Sequence, residues 1–109
     1  MQVNLYATFR LLAGSKTLQI DLPPGTTVRQ AVDAVIEQRP VLRSHWLDDA
    51  GEIHAHVHIF INGHDVQNME QGEDTPLQPG DVLDFFPPVA GGINPHPALK
   101  TRPTAKAPR

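Results

Sequence analysis

Hydrophobic and polar positions alternate at the start of the chain. Val3, Leu5, Ala7 and Phe9 are separated by Asn4, Tyr6 and Thr8, a pattern that predicts a half-buried strand. Leu11 to Lys16, with Gly14-Ser15, reads as a turn. Leu18, Ile20 and Leu22 alternate with Gln19 and Asp21 and predict a second strand, stopped by Pro23-Pro24-Gly25. The period then changes. Val28, Ala31, Val32, Val35 and Ile36 fall at i, i+3, i+4, i+7 and i+8, the apolar face of a helix. Thr27 and Gln30 stand at capping-box spacing, so each can satisfy an orphan amide at the helix start. Pro40 ends this helix. Val41 to Leu47 predicts a short further helical turn, with Trp46 and Leu47 closing the core.

Asp48-Asp49-Ala50-Gly51 is a turn, and His54 to Ile61 predicts a third strand with Val57, Ile59 and Ile61 on one face. Asn62-Gly63 is a hairpin signal, because both positions of a type I′ turn need positive φ. His64 to Val66 would be the short return strand, and Gln67 to Pro79 an irregular crossing. Gly80-Asp81 turns the chain into a last strand, Val82 to Phe86. The order β-β-α-β-(β)-β predicts an α+β domain, a mixed β-sheet with one main helix packed on one face. The other face is left open.

Strand parity assigns residues to that open face. Asn4 and Thr8 point to water and carry Tyr6 with them; Asp84 carries Phe86; His56 and His58 carry Phe60. Three of the six aromatic residues therefore converge on one face, and such an apolar patch is the signature of a partner surface. The plain alternative is scatter, since lone exposed aromatics need no purpose.

Charge narrows the partner. The net charge of −3 conceals twelve acids against five bases in residues 1–92, or −7, followed by Lys100, Arg102, Lys106 and Arg109 with no acid, or +4. An acidic body argues against nucleic acid and suits a basic face on a protein. There is no cysteine, so no disulfide, thiol nucleophile or thiolate metal site. No secretory signal or membrane-length apolar run is visible, and the expectation is a cytoplasmic protein that does not bind membranes. No phosphate-cradling glycine loop or serine nucleophile with a recognisable base stands out, and Asp48-Asp49 and Glu73-Asp74 read as solvated loop charge. The domain reads as a non-enzyme with no bound cofactor. His54, His56 and His58 would share one strand face, a spacing able to chelate zinc or copper; a polar outer face is the simpler reading, and no metal is assigned.

The chain ends its predicted fold with Phe85-Phe86-Pro87-Pro88-Val89-Ala90-Gly91-Gly92. Residues 93–109 carry four prolines, and their only large apolar side chains are Ile93 and Leu99, a composition that predicts disorder. Alone, Gly91-Gly92 could be a flexible linker. Together with Val3-Asn4-Leu5-Tyr6-Ala7-Thr8-Phe9-Arg10, Pro24-Gly25-Thr26-Thr27-Val28, Phe60-Ile61-Asn62-Gly63 and Gly80-Asp81-Val82, the run resembles the sulfur-carrier family of ubiquitin-like proteins. That family includes MoaD, the small subunit of molybdopterin synthase, and ThiS, the thiamine-biosynthesis carrier. The resemblance spans residues 2–92, and the final run is most similar to the molybdopterin branch.

The resemblance implies a β-grasp fold, whose first and last strands pair in parallel at the sheet centre. It also implies a chemistry. A ubiquitin-activating-type enzyme uses ATP to adenylate a terminal glycine carboxylate; sulfur, usually from a persulfide, then displaces AMP and leaves a thiocarboxylate. Carried over by position, Gly92 would bear the sulfur and Gly91 would line the partner's channel, where the missing Cβ matters. Tyr6, Phe60, Phe86, Pro87, Pro88, Val89 and Ala90 would dock partners, the prolines giving the exit a preset extended direction. The Gly92–Ile93 bond departs from the family pattern, since an amide cannot be adenylated. A processing peptidase, of the JAMM metalloprotease type in some members, would have to remove residues 93–109 from the 1–92 carrier domain. The acceptor would be a sulfur-accepting synthase subunit, in molybdopterin synthesis or in cysteine, thiamine or other metabolite synthesis. A ubiquitin-like tag joined to target lysines is the alternative of another class.

Overall fold

The structure, a computed structural model, describes residues 1–88. The expectations placed on Val89, Ala90, Gly91, Gly92 and residues 93–109 lie outside the described residues. Strands β1 (Gln2–Leu5), β2 (Thr17–Gln19), β3 (His58–Ile61), β4 (His64–Asp65) and β5 (Val82–Phe86) form one sheet in the order β2-β1-β5-β3-β4. β1 and β5 pair in parallel at its centre, with Val3 opposite Leu83 and Leu5 opposite Phe85, and the other pairings are antiparallel. This is the β-grasp arrangement.

Helix α2 (Val28–Gln38) forms where the apolar stripe predicts it, and Val28, Ala31, Val32, Val35 and Ile36 are all buried. Its capping box is complete: the Gln30 amide donates to Thr27 Oγ1 at 3.2 Å, and the Thr27 amide donates to Gln30 Oε1 at 3.0 Å. These residues join Val3, Leu5, Ile59, Ile61, Leu83 and Phe85 in one core. Pro40–Leu42 forms a 3-10 turn leading into α3 (Arg43–Trp46). Trp46 is thereby fully buried, stacked on Phe85 with centroids 4.3 Å apart and met edge-on by Phe9 at 5.4 Å. The indole Nε1 has no hydrogen-bond partner among the described residues, so the apolar packing of the ring offsets the loss of one polar contact.

The first strand is shorter than its alternation predicts. Ala7–Ala13 is a helix, α1, not a continuation of β1 and a turn. The cause lies across the sheet: β5 ends at Phe86, so a strand running on to Phe9 would find no ladder partner on that side. As a helix, Phe9 is buried, with Leu12 and Ala13 packed against the core at i+3 and i+4. Ala7 absorbs the strand-to-helix corner at φ 52°, and Gly14, at φ 76°, closes the helix through its amide to the Arg10 carbonyl.

The third strand also starts late. Residues 54–57 form a turn, in which the Val57 amide donates to the His54 carbonyl at 3.1 Å. His54 is held back by its own amide, which donates to the Trp46 carbonyl. Val66 leaves the return strand for a 3-10 turn, Val66–Asn68, where the Gln67 amide donates to Asp65 Oδ1. The Asn62-Gly63 turn forms as expected, with φ of 50° and 86°. The crossing from 67 to 79 is pinned by Arg29, which pairs with both Glu52 and Glu73.

Candidate docking site

Three strands bring the site together. Tyr6 lies just past β1 with extended backbone, and its amide donates to the Phe85 carbonyl at 3.2 Å. It therefore keeps strand phase for one residue more, and its ring emerges beside Phe86 on the face away from α2. The two rings stack with centroids 4.2 Å apart and planes 8° apart. Phe60 meets Phe86 edge-on at 5.5 Å. Phe60 belongs to this face and not to the core cluster, yet it is buried, a packed base of the patch and not an exposed ring. Thr8, expected on the same face, belongs to α1 instead.

A polar row runs beside the rings. The register places Thr17, Asn4, Asp84 and Phe60 in line across four strands, with Asp65 beyond. Asp84 Oδ1 accepts from Asn4 Nδ2 at 2.9 Å and from the Tyr6 hydroxyl at 3.2 Å. Asn4 Oδ1 in turn accepts from Thr17 Oγ1 and Gln2 Nε2. Burial, the charge of Asp84 and the hydrogen bond to it all push the Tyr6 phenol above its ordinary pKa, in that order of weight. The hydroxyl thus stays a donor. Parity alone put Asp84 and Tyr6 on one face; the bond between them, spanning 78 positions, needed the parallel pairing of β1 with β5.

Pro87 is buried and Pro88 exposed, directly after β5. The chain toward Gly91-Gly92 therefore leaves from the end of the sheet that carries Tyr6 and Phe86. The three strand histidines do not assemble as expected. His54 and His56 stack on each other in the turn at 4.6 Å, while His58 alone is in β3, opposite Phe86. Among the described residues no group of three or more His, Cys, Asp or Glu side chains is arranged to hold a metal. No helix among them is long and apolar enough to cross a membrane.

Comparison with known proteins gives the same fold and a consistent set of relatives. Small archaeal modifier protein 1 of Haloferax volcanii is 37% identical over 92 residues, covering 84% of this chain and all of that protein. Its crystal structure superposes with a TM-score of 0.73 at 35% identity, over 84% of this chain and 97% of the other. A putative molybdopterin converting factor, subunit 1, from Pyrococcus furiosus is 30% identical with a TM-score of 0.62, over 81% of this chain and 95% of that one. A chain of the Amycolatopsis orientalis BexX/CysO complex is 25% identical with a TM-score of 0.68, over 84% and 98%. The ThiS family model matches residues 3–92, closing on Gly92 itself. With its parallel central strands, its uncovered aromatic face and that match, the chain belongs to the ThiS family of ubiquitin-like carriers and modifiers.

Proposed function

We propose that the protein is a sulfur carrier made as a precursor, whose Gly92 becomes a free carboxylate and then a thiocarboxylate. The observation that carries this reading is the position of the stacked Tyr6–Phe86 pair, which stands at the sheet end from which the chain departs, six residues before Gly92. An adenylating enzyme that grips this face would receive the diglycine in its active site without searching for it. Gly92 is the reacting residue, and Gly91, Pro87, Pro88, Val89 and Ala90 deliver it. Phe60 supports the pair from below. The partner consumes the ATP: the Gly92 carboxylate attacks the α-phosphate, pyrophosphate leaves, and a sulfide equivalent then displaces AMP from the acyl carbon. A peptidase first hydrolyses the Gly92–Ile93 amide and releases residues 93–109. The family match ending at residue 92 supports this boundary.

For the acceptor we favour molybdopterin synthesis, on the Phe85-to-Gly92 run and the likeness to the putative converting factor subunit. A second reading, attachment to lysines of target proteins, is favoured by the 37% identity to a protein named a modifier. Two experiments separate these. A 1–92 chain retains the whole described core and matches the full length of that relative. Incubated with ATP, a sulfide source and the adenylating enzyme of its own organism, it should gain the 16-dalton mass increase of oxygen replaced by sulfur. Absence of both adenylate and thiocarboxylate would refute the carrier reading. Isopeptide conjugates of Gly92 in native cells would establish the modifier role.

A further inference from the structure

The docking face carries a carboxylate that the described residues satisfy on one side only. Asp84 is half-buried between Tyr6, Phe86 and Phe60. Its Oδ1 takes both hydrogen bonds, from Asn4 and from Tyr6. Both donors are neutral. Among the described residues Oδ2 accepts no hydrogen bond, and the ion pairs are those of Arg29 with Glu52 and Glu73, away from this face. The charge is tolerable while water reaches Oδ2. A partner that covers the aromatic pair removes that water, and a desolvated carboxylate without a counter-charge strongly opposes binding.

We infer that the partner covering this face presents an arginine to the free Oδ2 of Asp84. The inference rests on the docking role proposed above and adds what the partner must carry. Charge complementarity points the same way, since residues 1–92 hold −7 and the flanking Asp65 lies in the same row. Arginine fits better than lysine. Its planar guanidinium can lie against the flat Tyr6–Phe86 rings while an N–H edge meets the carboxylate, whereas an ammonium offers only a point charge. Asp84 is thus a specificity residue. It rejects apolar surfaces that would otherwise suit the three rings, because they leave its charge buried and unpaired.

The test is steady-state adenylation of the 1–92 chain by the adenylating enzyme of its own organism, followed by pyrophosphate release. Asp84→Asn keeps the shape and an oxygen for the Tyr6 hydroxyl but removes the charge. Asp84→Lys reverses it. For Asp84→Asn the KM for the carrier should rise about tenfold or more, and for Asp84→Lys further, with kcat unchanged. Raising salt should increase the wild-type KM more steeply than that of Asp84→Asn, which keeps the other acids of the body. The inference is overturned if Asp84→Asn stays within threefold of wild type, or if kcat falls at constant KM. Should Asp84→Lys not fold, as thermal unfolding would report, the isosteric Asp84→Asn decides alone. A wild-type chain that is never adenylated refutes the carrier reading and this inference with it. A carrier that is adenylated while indifferent to residue 84 refutes the inference only. Two other occupants would also overturn it. A second copy would be revealed by a dimer that Asp84→Lys dissociates in sedimentation. The chain's own basic segment would be revealed by NMR shifts at Asp84 in the full-length protein that vanish on truncation to 1–92.

Discussion

The two faces of the sheet carry nearly the same aromatic assembly. On the covered face, Phe85 stacks on Trp46 at 4.3 Å and Phe9 meets Trp46 edge-on. On the uncovered face, Phe86 stacks on Tyr6 at 4.2 Å and Phe60 meets Phe86 edge-on. Phe85 and Phe86 are sequence neighbours, sent to opposite sides by the pleat. The inner trio shares one core with the apolar face of α2, and all three of its rings are buried. The outer trio leaves Tyr6 and Phe86 partly open and sets a charged residue beside them. Closely similar ring geometry therefore serves stability on one side and is available for association on the other. What differs is whether the described residues supply the cover.

The sharpest way to break that comparison is to truncate each phenylalanine in turn. Phe85→Ala should cost about 3–5 kcal/mol of unfolding free energy, the usual penalty for a buried ring. Phe86→Ala should cost about 1 kcal/mol, because its ring is only partly buried. Urea denaturation of both variants checks this, and equal losses would mean that the outer trio is a second core. Phe86→Ala should nonetheless lose most of its adenylation, whereas any Phe85→Ala molecules still folded should retain theirs.

A smaller effect tests the cover itself. Thr27→Ala removes one half of the capping box at the start of α2 and should destabilise the fold by about 1 kcal/mol, without altering the outer face. A change in partner affinity greater than the change in stability would show that the two faces are coupled.

The smallest effect is spectroscopic. Tyr6 is the only tyrosine, so its ionisation can be followed by ultraviolet absorbance alone. Its folded pKa is raised above the unfolded value of 10.0, chiefly by burial and then by Asp84. The sign follows from linkage: the stabilising contribution is complete below that unfolded value and is lost as pH climbs through the folded one. Asp84→Asn should move the titration midpoint down, and an unchanged midpoint would mean that the carboxylate is not felt by the phenol.

Several elements were legible before any contact was known. The α2 stripe with its Thr27–Gln30 cap, the Asn62-Gly63 turn and the β5 alternation depend on neighbours within a few residues, and each formed as read. The aromatic face was legible too, because parity needs only the strand assignment. Residues 7–13 are ambiguous in the sequence because Ala7 and Phe9 fit a strand while Phe9, Leu12 and Ala13 fit a helix; Gly14 is the local signal for the latter. The histidine row failed for a similar reason, since alternation at His54, His56 and His58 says nothing about where β3 acquires a partner.

By itself the amino-acid order determined which segments could be helix or strand, which residues could face outward, and that Gly91-Gly92 follows the last strand. Those properties are local, set by backbone sterics and by the spacing of apolar side chains over a few residues. Only the tertiary structure decided that β1 stops at Leu5, that Phe60 is a buried base and not an exposed ring, and that Asp84 meets Tyr6 across 78 positions with its other oxygen unengaged among the described residues. These depend on which strands become neighbours and on where each ladder runs out, and hydrogen-bond pairing between distant segments leaves no periodic trace in either one.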